Sequence, residues 1–240
     1  MKALVLASVD GTIELKETPD PVPTNGEVLI RLKAAALNRR DFWITRGGYP
    51  NIEAPCVLGS DGVGIVEKGG EGVDSALVGK EVLINPSLHW GESQLVQGKD
   101  FRILGMPDDG TFAEYISVPL QQITEKPAHL TTSEAAALPL AGLTAYRALF
   151  SQGKLKSGES ILITGIGGGV ATIALKMAQA AGARVFVSSS CEHKISKALT
   201  LGASSGANYT DDHWPDTFRS DHGAVDMILD GAAGDQFGDL

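Results

Sequence analysis

Hydrophobic positions in the first half of the chain come in short runs of β-branched or alternating residues. The runs read KALVL, EVLIRLKAAAL, GVGIVEKGG, KEVLI and FAEYISV, and Gly, Pro and Asn residues separate them. Short runs between turn-forming residues are typical of β-strands, whose side chains alternate between two faces. The pattern predicts an all-β, barrel-like unit over residues 1 to about 120, with functional side chains on its loops.

After the segment ITEKPAHL the hydrophobic period becomes helical. TTSEAAALPLAGLTAYRALF opens with a capping box, from Thr131 to Glu134, and continues at helical spacing. Strands and helices then alternate in the order SILITG, GVATIALKMAQAAG, ARVFVSSS, EHKISKALTLG and VDMILDG. This alternation predicts a parallel sheet with crossover helices. The fold class is therefore α/β, with one domain over residues 1–122 and a second over residues 123–240.

Composition and charge narrow the classes of function. The chain has 240 residues, 43% of them hydrophobic, which is enough for two domain cores. A formal net charge of −9 argues against nucleic-acid or anionic-membrane binding. Two cysteines, Cys56 and Cys191, are too few for a disulfide framework, and the N-terminal segment is too short in apolar residues for a signal peptide. We expect a cytoplasmic protein that acts on small molecules.

A glycine-rich turn between SILIT and the following helix carries the strongest local signal. It contains Gly165, Gly167, Gly168 and Gly169, followed by Val170 and Ala171 where a strict GxGxxG motif has its last glycine. Backbone amides at such a helix N-terminus would face a pyrophosphate. The alternative is a tight turn without a ligand. We interpret the segment from Gly165 to Val170 as cofactor-binding.

The end of the next strand indicates which dinucleotide binds. An acidic residue there would hold a ribose 2′-hydroxyl, but the chain has Ser189 and Ser190. Their hydroxyls, together with Lys194 in the first turn of the next helix, could bind a 2′-phosphate. Glu192 is interpreted as a helix cap, and Lys194 could instead be a solvated surface lysine. The pattern predicts a preference for NADPH over NADH.

Five segments in a fixed order resemble the medium-chain dehydrogenase/reductase superfamily, which includes zinc alcohol dehydrogenases and zinc-free quinone oxidoreductases. They are GEVLIRLKAAALNRRD, LGSDGVGIVEKGG, DGTFAEYISVP, EAAALPLAGLTAYRAL and the glycine-rich turn. The resemblance covers essentially the whole chain. It implies a GroES-like β-barrel catalytic domain, then a Rossmann cofactor-binding domain, with the active site in the cleft between them. It also implies a homodimer for the full-length form.

The resemblance places other residues where the zinc members carry their ligands. The catalytic-zinc positions hold Asn38 of NRRD, Ser60 of GSD and Leu140, and the four structural-zinc positions hold Trp90, Ser93, Val96 and about Phe101. Asn and Ser are poor zinc ligands and Leu is none, so we expect no metal. We expect the Trp, Val and Phe side chains to close the second lobe by burial.

Without a Lewis acid, reduction of a quinone or an α,β-unsaturated carbonyl is easier than alcohol oxidation. By resemblance, the catalytic candidates are Asn38, Asp41, Tyr49 and Ser60, and Thr144 is expected beneath the nicotinamide. Tyr49 could donate a hydrogen bond and Asn38 could orient the acceptor, whereas Asp41 could instead hold its loop through Arg39 or Arg40. The alternatives for the whole protein are an alcohol dehydrogenase-like enzyme and a non-catalytic NADPH-binding protein.

The end of the sequence, VDMILDGAAGDQFGDL, is interpreted as the fourth Rossmann strand followed by a loop and the start of a helix. Relatives continue for about half a domain more, and a doubly wound fold normally needs both halves. We therefore expect a Rossmann domain that is truncated at its C-terminus or completed by a partner chain. The fourth strand, predicted over 225–230, would otherwise present an unpaired apolar edge.

Overall fold

The computed structural model describes residues 1–9, 11–234, 237–238 and 240. The chain divides into two compact units, Met1–Leu140 and Ala141–Leu240. The units are considered separately below.

The first unit consists mainly of strands that coincide with the hydrophobic runs. They are β1 (Lys2–Leu6), β2 (Ile13–Glu17), β3 (Glu27–Ala36), β4 (Cys56–Val57), β5 (Asp61–Gly69), β6 (Glu81–Ile84), β7 (Ser87–Leu88), β8 (Arg102–Ile103), β9 (Tyr115–Pro119) and β10 (Ile123–Glu125). Antiparallel pairing gives a five-stranded sheet in the order β10-β6-β5-β3-β9, a three-stranded sheet β2-β1-β4 and the pair β7-β8. Inward-facing residues such as Val28, Ile30 and Ile84 form the main core of this unit. The predicted strand-rich first half is confirmed.

Two helices in the first unit change the predicted picture. α1 (Arg39–Thr45) begins directly after β3, in a segment that the sequence suggested was a loop, and α2 (Thr132–Ala136) follows β10. Ala135 and Ala136 of α2 are buried against Val63 of β5, and β10 pairs with β6. The compact first unit therefore extends to Leu140, beyond the predicted boundary at residue 122, because these later elements pack on its sheet.

The second unit is a parallel sheet with helices. Its elements are α3 (Pro139–Tyr146, which begins just before the boundary), a π-helical turn (Arg147–Gln152), β11 (Ser160–Ile163), α4 (Gly169–Ala180), β12 (Arg184–Ser189), α5 (Glu192–Thr200), β13 (Ser205–Asn208), α6 (Trp214–His222) and β14 (Met227–Leu229). The strand order is β13-β12-β11-β14, and every pair is parallel. The predicted parallel sheet is confirmed. The long predicted helix is divided into α2 and α3, because Pro139 cannot continue an α-helix from the residues before it.

The edge strand β14 is shorter than the predicted strand over 225–230. It pairs with β11, and Ile228 in its centre remains 39% exposed. In the part of the chain that is described, no helix has the length and apolar character needed to cross a membrane.

Candidate active site and cofactor loop

Asn38 and Asp41 form the start of α1. The main-chain N–H of Asn38 donates to Oδ2 of Asp41 at 2.7 Å. Burial raises the pKa of Asp41, and the bond from Asn38 and the charge of Arg40 partly oppose this shift. Asp41 therefore caps the helix and fixes the backbone of Asn38. This placement agrees with the structural alternative for Asp41, although the partner is the Asn38 main chain rather than an arginine side chain.

The Asn38 side chain is joined to Asp61, the first residue of β5. Nδ2 of Asn38 donates to Oδ2 of Asp61 at 2.9 Å, and the N–H of Leu140 donates to Oδ1 of Asp61 at 2.7 Å. Asp61 is only 1% exposed. Burial raises its pKa to about 6, against the opposing effect of the two hydrogen bonds. Asn38 and Leu140 stand at two of the three positions where the resemblance puts catalytic-zinc ligands. Both donate a hydrogen bond to the buried carboxyl group of Asp61.

Arg40 is a second buried centre in the same unit. Its Nη1 donates to Oγ of Ser60 at 2.7 Å and to the carbonyls of Leu104 at 3.0 Å and Gly105 at 3.3 Å, and its Nη2 donates to the carbonyl of Met106 at 2.9 Å. The Ser60 hydroxyl in turn donates to the Leu104 carbonyl at 2.8 Å. Ser60 is fully buried, and its hydroxyl is engaged by protein groups. Its role in this arrangement is to hold Arg40.

Close approach of three glycines makes this arrangement possible. A Cβ at Gly110 would lie 2.0 Å from the carbonyl oxygen of Gly59, and a Cβ at Gly105 would lie 2.6 Å from the Gly59 backbone. Gly59 itself has φ +95°, a conformation that residues with a side chain rarely adopt. The backbone before Ser60 and Asp61 can therefore lie directly against the turn whose carbonyls bind Arg40.

Tyr49 contacts the buried guanidinium of Arg40 through its ring. The guanidinium of Arg40 lies 5.1 Å from the centre of the Tyr49 ring, within the range of a cation–π contact. Tyr49 is partly buried and packs against a hydrophobic cluster that includes Ile44 and Met106. It also lines an open cavity of about 560 Å³, together with residues that include Asn51, Phe101 and Arg102. Tyr49 is therefore positioned by Arg40 and reaches a space large enough for a small molecule.

The residues at the catalytic-zinc positions do not fit a zinc ion. Ser60 binds the cationic guanidinium of Arg40, and Leu140 contributes a backbone N–H to Asp61 rather than a ligand atom. Within residues 1–9, 11–234, 237–238 and 240, no group of three or more His, Cys, Asp or Glu side chains is placed to hold a metal ion.

The lobe at residues 90–101 is held differently from the prediction. Trp90 and Phe101 meet edge to face, with ring centres 5.1 Å apart, and Nε1 of Trp90 donates to the Ser93 carbonyl at 2.8 Å. The Ser93 hydroxyl accepts the N–H of Val96 at 3.4 Å. The expected burial of Val96 is wrong, because its side chain is 64% exposed. One aromatic pair and local hydrogen bonds hold the lobe instead of a three-residue apolar cluster.

The glycine-rich turn has the conformation expected of a phosphate-binding loop. Gly165 and Gly167 have φ angles of +61° and +111°, which favour glycine. Gly168 precedes α4, and Gly169 and Val170 are its first two residues. Glycines therefore occupy the N-cap and the first position of α4, so the free backbone N–H groups of its first turn are accessible to an anion. These residues fit a dinucleotide pyrophosphate.

Lys194 lies beside this loop. A Cβ at Gly167 would be 2.9 Å from Cδ of Lys194, so the aliphatic part of the lysine side chain crosses the glycine turn. Ser190 is exposed, whereas Ser189 is buried and its hydroxyl accepts the N–H of Cys191 at 3.2 Å. Glu192 accepts a hydrogen bond from Nδ2 of Asn208 at 2.7 Å, which holds its carboxylate toward β13. Lys194 and Ser190 are thus the better-placed 2′-phosphate candidates.

Three further observations concern the candidate residues. Thr144 lies at an exposed position of α3 in the second unit. Arg40 and Asp61, which organise the candidate site, were not among the predicted catalytic residues. A signal for both is present in the sequence, since NRRD and GSD place charged residues in segments bordered by buried strands. A charged residue in such a position requires a partner.

Comparisons with known proteins identify the family of this chain. Residues 24–128 match the family described as the alcohol dehydrogenase GroES-like domain. The chain is 40% identical over 239 residues to the zinc-type alcohol dehydrogenase-like protein YogA of Leptosphaeria maculans, covering 92% of this chain and 66% of that protein. It is 34% identical over 206 residues to an acryloyl-coenzyme A reductase of Metallosphaera sedula, covering 82% of this chain and 60% of that protein.

A solved structure of an NAD-dependent alcohol dehydrogenase is also similar. It superposes with a TM-score of 0.93 at 35% identity, over 100% of this chain and 73% of that one. Fold and site together define a two-domain protein with a GroES-like unit and a Rossmann-type unit. The chain belongs to the medium-chain dehydrogenase/reductase superfamily. It spans about two thirds or less of the length of the two curated relatives named above.

Proposed function

We propose that this protein is a zinc-independent oxidoreductase that transfers a hydride from NADPH to an α,β-unsaturated carbonyl compound or a quinone. The observation that carries the proposal is the Asn38–Asp61 hydrogen bond of 2.9 Å, beside a Ser60 that binds Arg40. At two of the positions where the resemblance puts catalytic-zinc ligands, this chain has an amide bound to Asp61 and a hydroxyl bound to Arg40. The similarity to an acryloyl-coenzyme A reductase, whose name specifies an unsaturated acyl group, supports the same class of reaction.

The glycine loop and Lys194 would hold the cofactor. Gly165, Gly167 and the first turn of α4 offer backbone N–H groups to the pyrophosphate, and Lys194 with Ser190 would bind the 2′-phosphate. When bound, the nicotinamide supplies the hydride. The protein's own contribution is to position the acceptor and to stabilise the charge that forms on its oxygen.

Asn38 and Tyr49 are the donors proposed for that oxygen. One N–H of the Asn38 amide is used by Asp61, and because Asn38 is only partly buried its second N–H can reach a bound acceptor. Tyr49 is proposed as a second donor, and it lines an open cavity whose walls, among the described residues, do not include Asn38. A fixed donor at an enolate or phenolate oxygen stabilises charge that is absent from the bound substrate, and it therefore accelerates the reaction.

A panel of substrates tests this proposal. The purified protein is mixed with NADPH and, in separate reactions, with simple enones, acryloyl thioesters and quinones, and NADPH oxidation is followed by absorbance. Oxidation of small alcohols with NADP⁺ and with NAD⁺ is measured in parallel, because one similar structure is an alcohol dehydrogenase. Reduction of at least one unsaturated acceptor is expected. Alcohol oxidation without any such reduction would support the alternative, and no turnover at all would support a non-catalytic NADPH-binding protein.

Lys194→Ala is expected to weaken NADPH binding by about tenfold and to leave NADH binding within about twofold, because one charge-assisted contact to the 2′-phosphate is lost. Dissociation constants are measured by titration of nicotinamide fluorescence. Lys197→Ala is the matched control, since it removes the same charge one turn further along α5. If Lys194→Ala does not change the ratio of the two dissociation constants, the lysine has no role in selecting the cofactor.

A further inference from the structure

We propose that Asp61 is the positioning residue of the candidate active site, and that it determines which end of the Asn38 amide faces the acceptor oxygen of the substrate. The inference rests on the proposed reduction of an unsaturated acceptor. It assigns Asp61 a role that differs from that of Asn38, because Asp61 acts through Asn38 and not on the substrate.

Three hydrogen bonds fix Asp61 in place. Its two carboxyl oxygens accept from the Leu140 N–H at 2.7 Å and from Nδ2 of Asn38 at 2.9 Å, and its own main-chain carbonyl accepts from Oγ1 of Thr111 at 2.7 Å. Rotation of the carboxyl group would break the bonds to both Leu140 and Asn38. Asp61 is therefore a rigid acceptor directed at the Asn38 amide.

The Asn38 amide needs such a partner because it has two unlike ends. Turning it by 180° exchanges a nitrogen that donates two hydrogen bonds with an oxygen that only accepts. An ionised carboxylate only accepts, so Asp61 selects the orientation in which Nδ2 faces it. The same nitrogen carries a second N–H, which this orientation keeps available as a donor to a developing oxyanion. The reverse orientation would place two acceptor oxygens against each other.

Protonation of Asp61 removes this selection. The protonated carboxyl group has an O–H that can donate to Oδ1 of Asn38, so both amide orientations then have a partner. Burial raises the pKa of Asp61 to about 6; the charge of Asp41 raises it further, and the charge of Arg40 lowers it. The carboxylate therefore fixes the amide above about pH 6, and the preference is lost as the pH falls through this value. Turnover should decrease on the acid side of the same midpoint.

Asp61→Asn tests the role in catalysis. We expect kcat for an unsaturated acceptor to fall by about 10-fold to 100-fold at pH 8, with the dissociation constant of NADPH within about twofold of the original, because a misplaced donor costs transition-state binding. The decrease of kcat at acid pH should disappear in this variant. An unchanged kcat, or an acid limb that persists at the same midpoint, would overturn the proposal.

The double variant Asn38→Asp with Asp61→Asn exchanges the two side chains. It distinguishes a role of Asp61 in orienting the residue at position 38 from a role in protein stability alone. It keeps a hydrogen bond between the two side chains, and the new amide at 61 can still accept from the Leu140 N–H. We expect thermal stability to recover toward the original, while kcat stays low because a carboxylate at position 38 has no N–H to offer. If the exchange restores kcat together with stability, the pair is only structural and the proposal is wrong.

A measurement that does not depend on activity distinguishes failure of this inference from failure of the proposed function. The side-chain amide signals of Asn38 and the backbone N–H signal of Leu140 are followed by NMR as a function of pH. We expect all of them to shift with a midpoint near 6, and the shift to be absent from Asp61→Asn. Absence of this titration from the original protein overturns the positioning role. Titration without turnover of any unsaturated acceptor overturns the proposed function.

Discussion

Arg40→Met is expected to lower the free energy of unfolding by about 3 to 5 kcal/mol, which is the usual cost of removing one partner from a buried polar network. Arg40 is only 7% exposed, and the bonds of its guanidinium to Ser60 and to three carbonyls join α1 to the turn at residues 104–106. Methionine fills a similar volume but donates no hydrogen bond. It also removes the positive charge that favours the ionised forms of Asp41 and Asp61.

Arg39→Met is the matched control, one residue earlier in the same helix. Arg39 is exposed and makes cation–π contacts with Phe42 and Trp43, at 5.6 and 6.0 Å from the ring centres. Its replacement should cost no more than about 1 kcal/mol. Urea denaturation followed by tryptophan fluorescence measures both variants. Equal losses from the two substitutions would show that the Arg40 network does not hold the unit together.

Asn38→Ala is expected to lower kcat for an unsaturated acceptor by about 100-fold, as is typical when one donor to a developing oxyanion is removed. The dissociation constant of NADPH should stay within about twofold, because Asn38 is not proposed to contact the cofactor. The loss of the amide also removes a hydrogen bond that lowers the pKa of Asp61. The pKa of Asp61 should therefore rise, but the acid limb should be absent from any remaining turnover, because no amide is left at position 38 for Asp61 to orient.

Asn25→Ala is the corresponding control, because Asn25 lies in an exposed turn of the same unit. It should leave kcat and its pH profile unchanged. A loss in NADPH affinity as large as the loss in kcat would identify Asn38 as a cofactor-binding residue instead. An unchanged kcat in Asn38→Ala would remove the central donor from the proposed site.

The strands and the parallel sheet could be predicted because they depend on local periodicity. In runs such as EVLIRLKAAA and SILI, the order of apolar residues alone indicates a strand and its buried positions. The glycine loop is identified by residues that are adjacent in the sequence. The boundary between the two compact units was harder to predict from the sequence. The first compact unit extends to Leu140 because α2 packs on β3 and β5, a long-range contact that the sequence from Thr132 to Ala136 does not encode by itself.

The side-chain network of the site depends on contacts between segments distant in the sequence. Asn38 and Tyr49 were predicted from motif positions, but the partners of Ser60 depend on a turn 44 residues later. That turn can approach because Gly59, Gly105 and Gly110 have no side chains, so a backbone contact determines where Arg40 is buried. Asp61 was missed for a related reason, since its second partner is the backbone N–H of Leu140.

The arrangement at Asp61 has a chemical consequence for the superfamily's shared scaffold. A metal ion polarises a substrate oxygen by its charge, whereas an oriented amide does so through one or two hydrogen bonds. Hydrogen bonds suffice where the acceptor is conjugated and the negative charge spreads over several atoms. They give little help in removing a proton from an alcohol. Under the proposed function, the residues Asn38, Ser60 and Leu140 at the ligand positions would let the same fold support reduction of a conjugated acceptor.

The most direct test of zinc-independent reduction is NADPH oxidation with an unsaturated acceptor after exhaustive dialysis against a chelator, with zinc determined by elemental analysis in the same sample. We expect turnover to be unchanged by the dialysis while the zinc content is far below one ion per chain, because the residues at the ligand positions are hydrogen-bonded to Asp61 and Arg40. Turnover that disappears on dialysis and returns on addition of zinc would contradict this expectation.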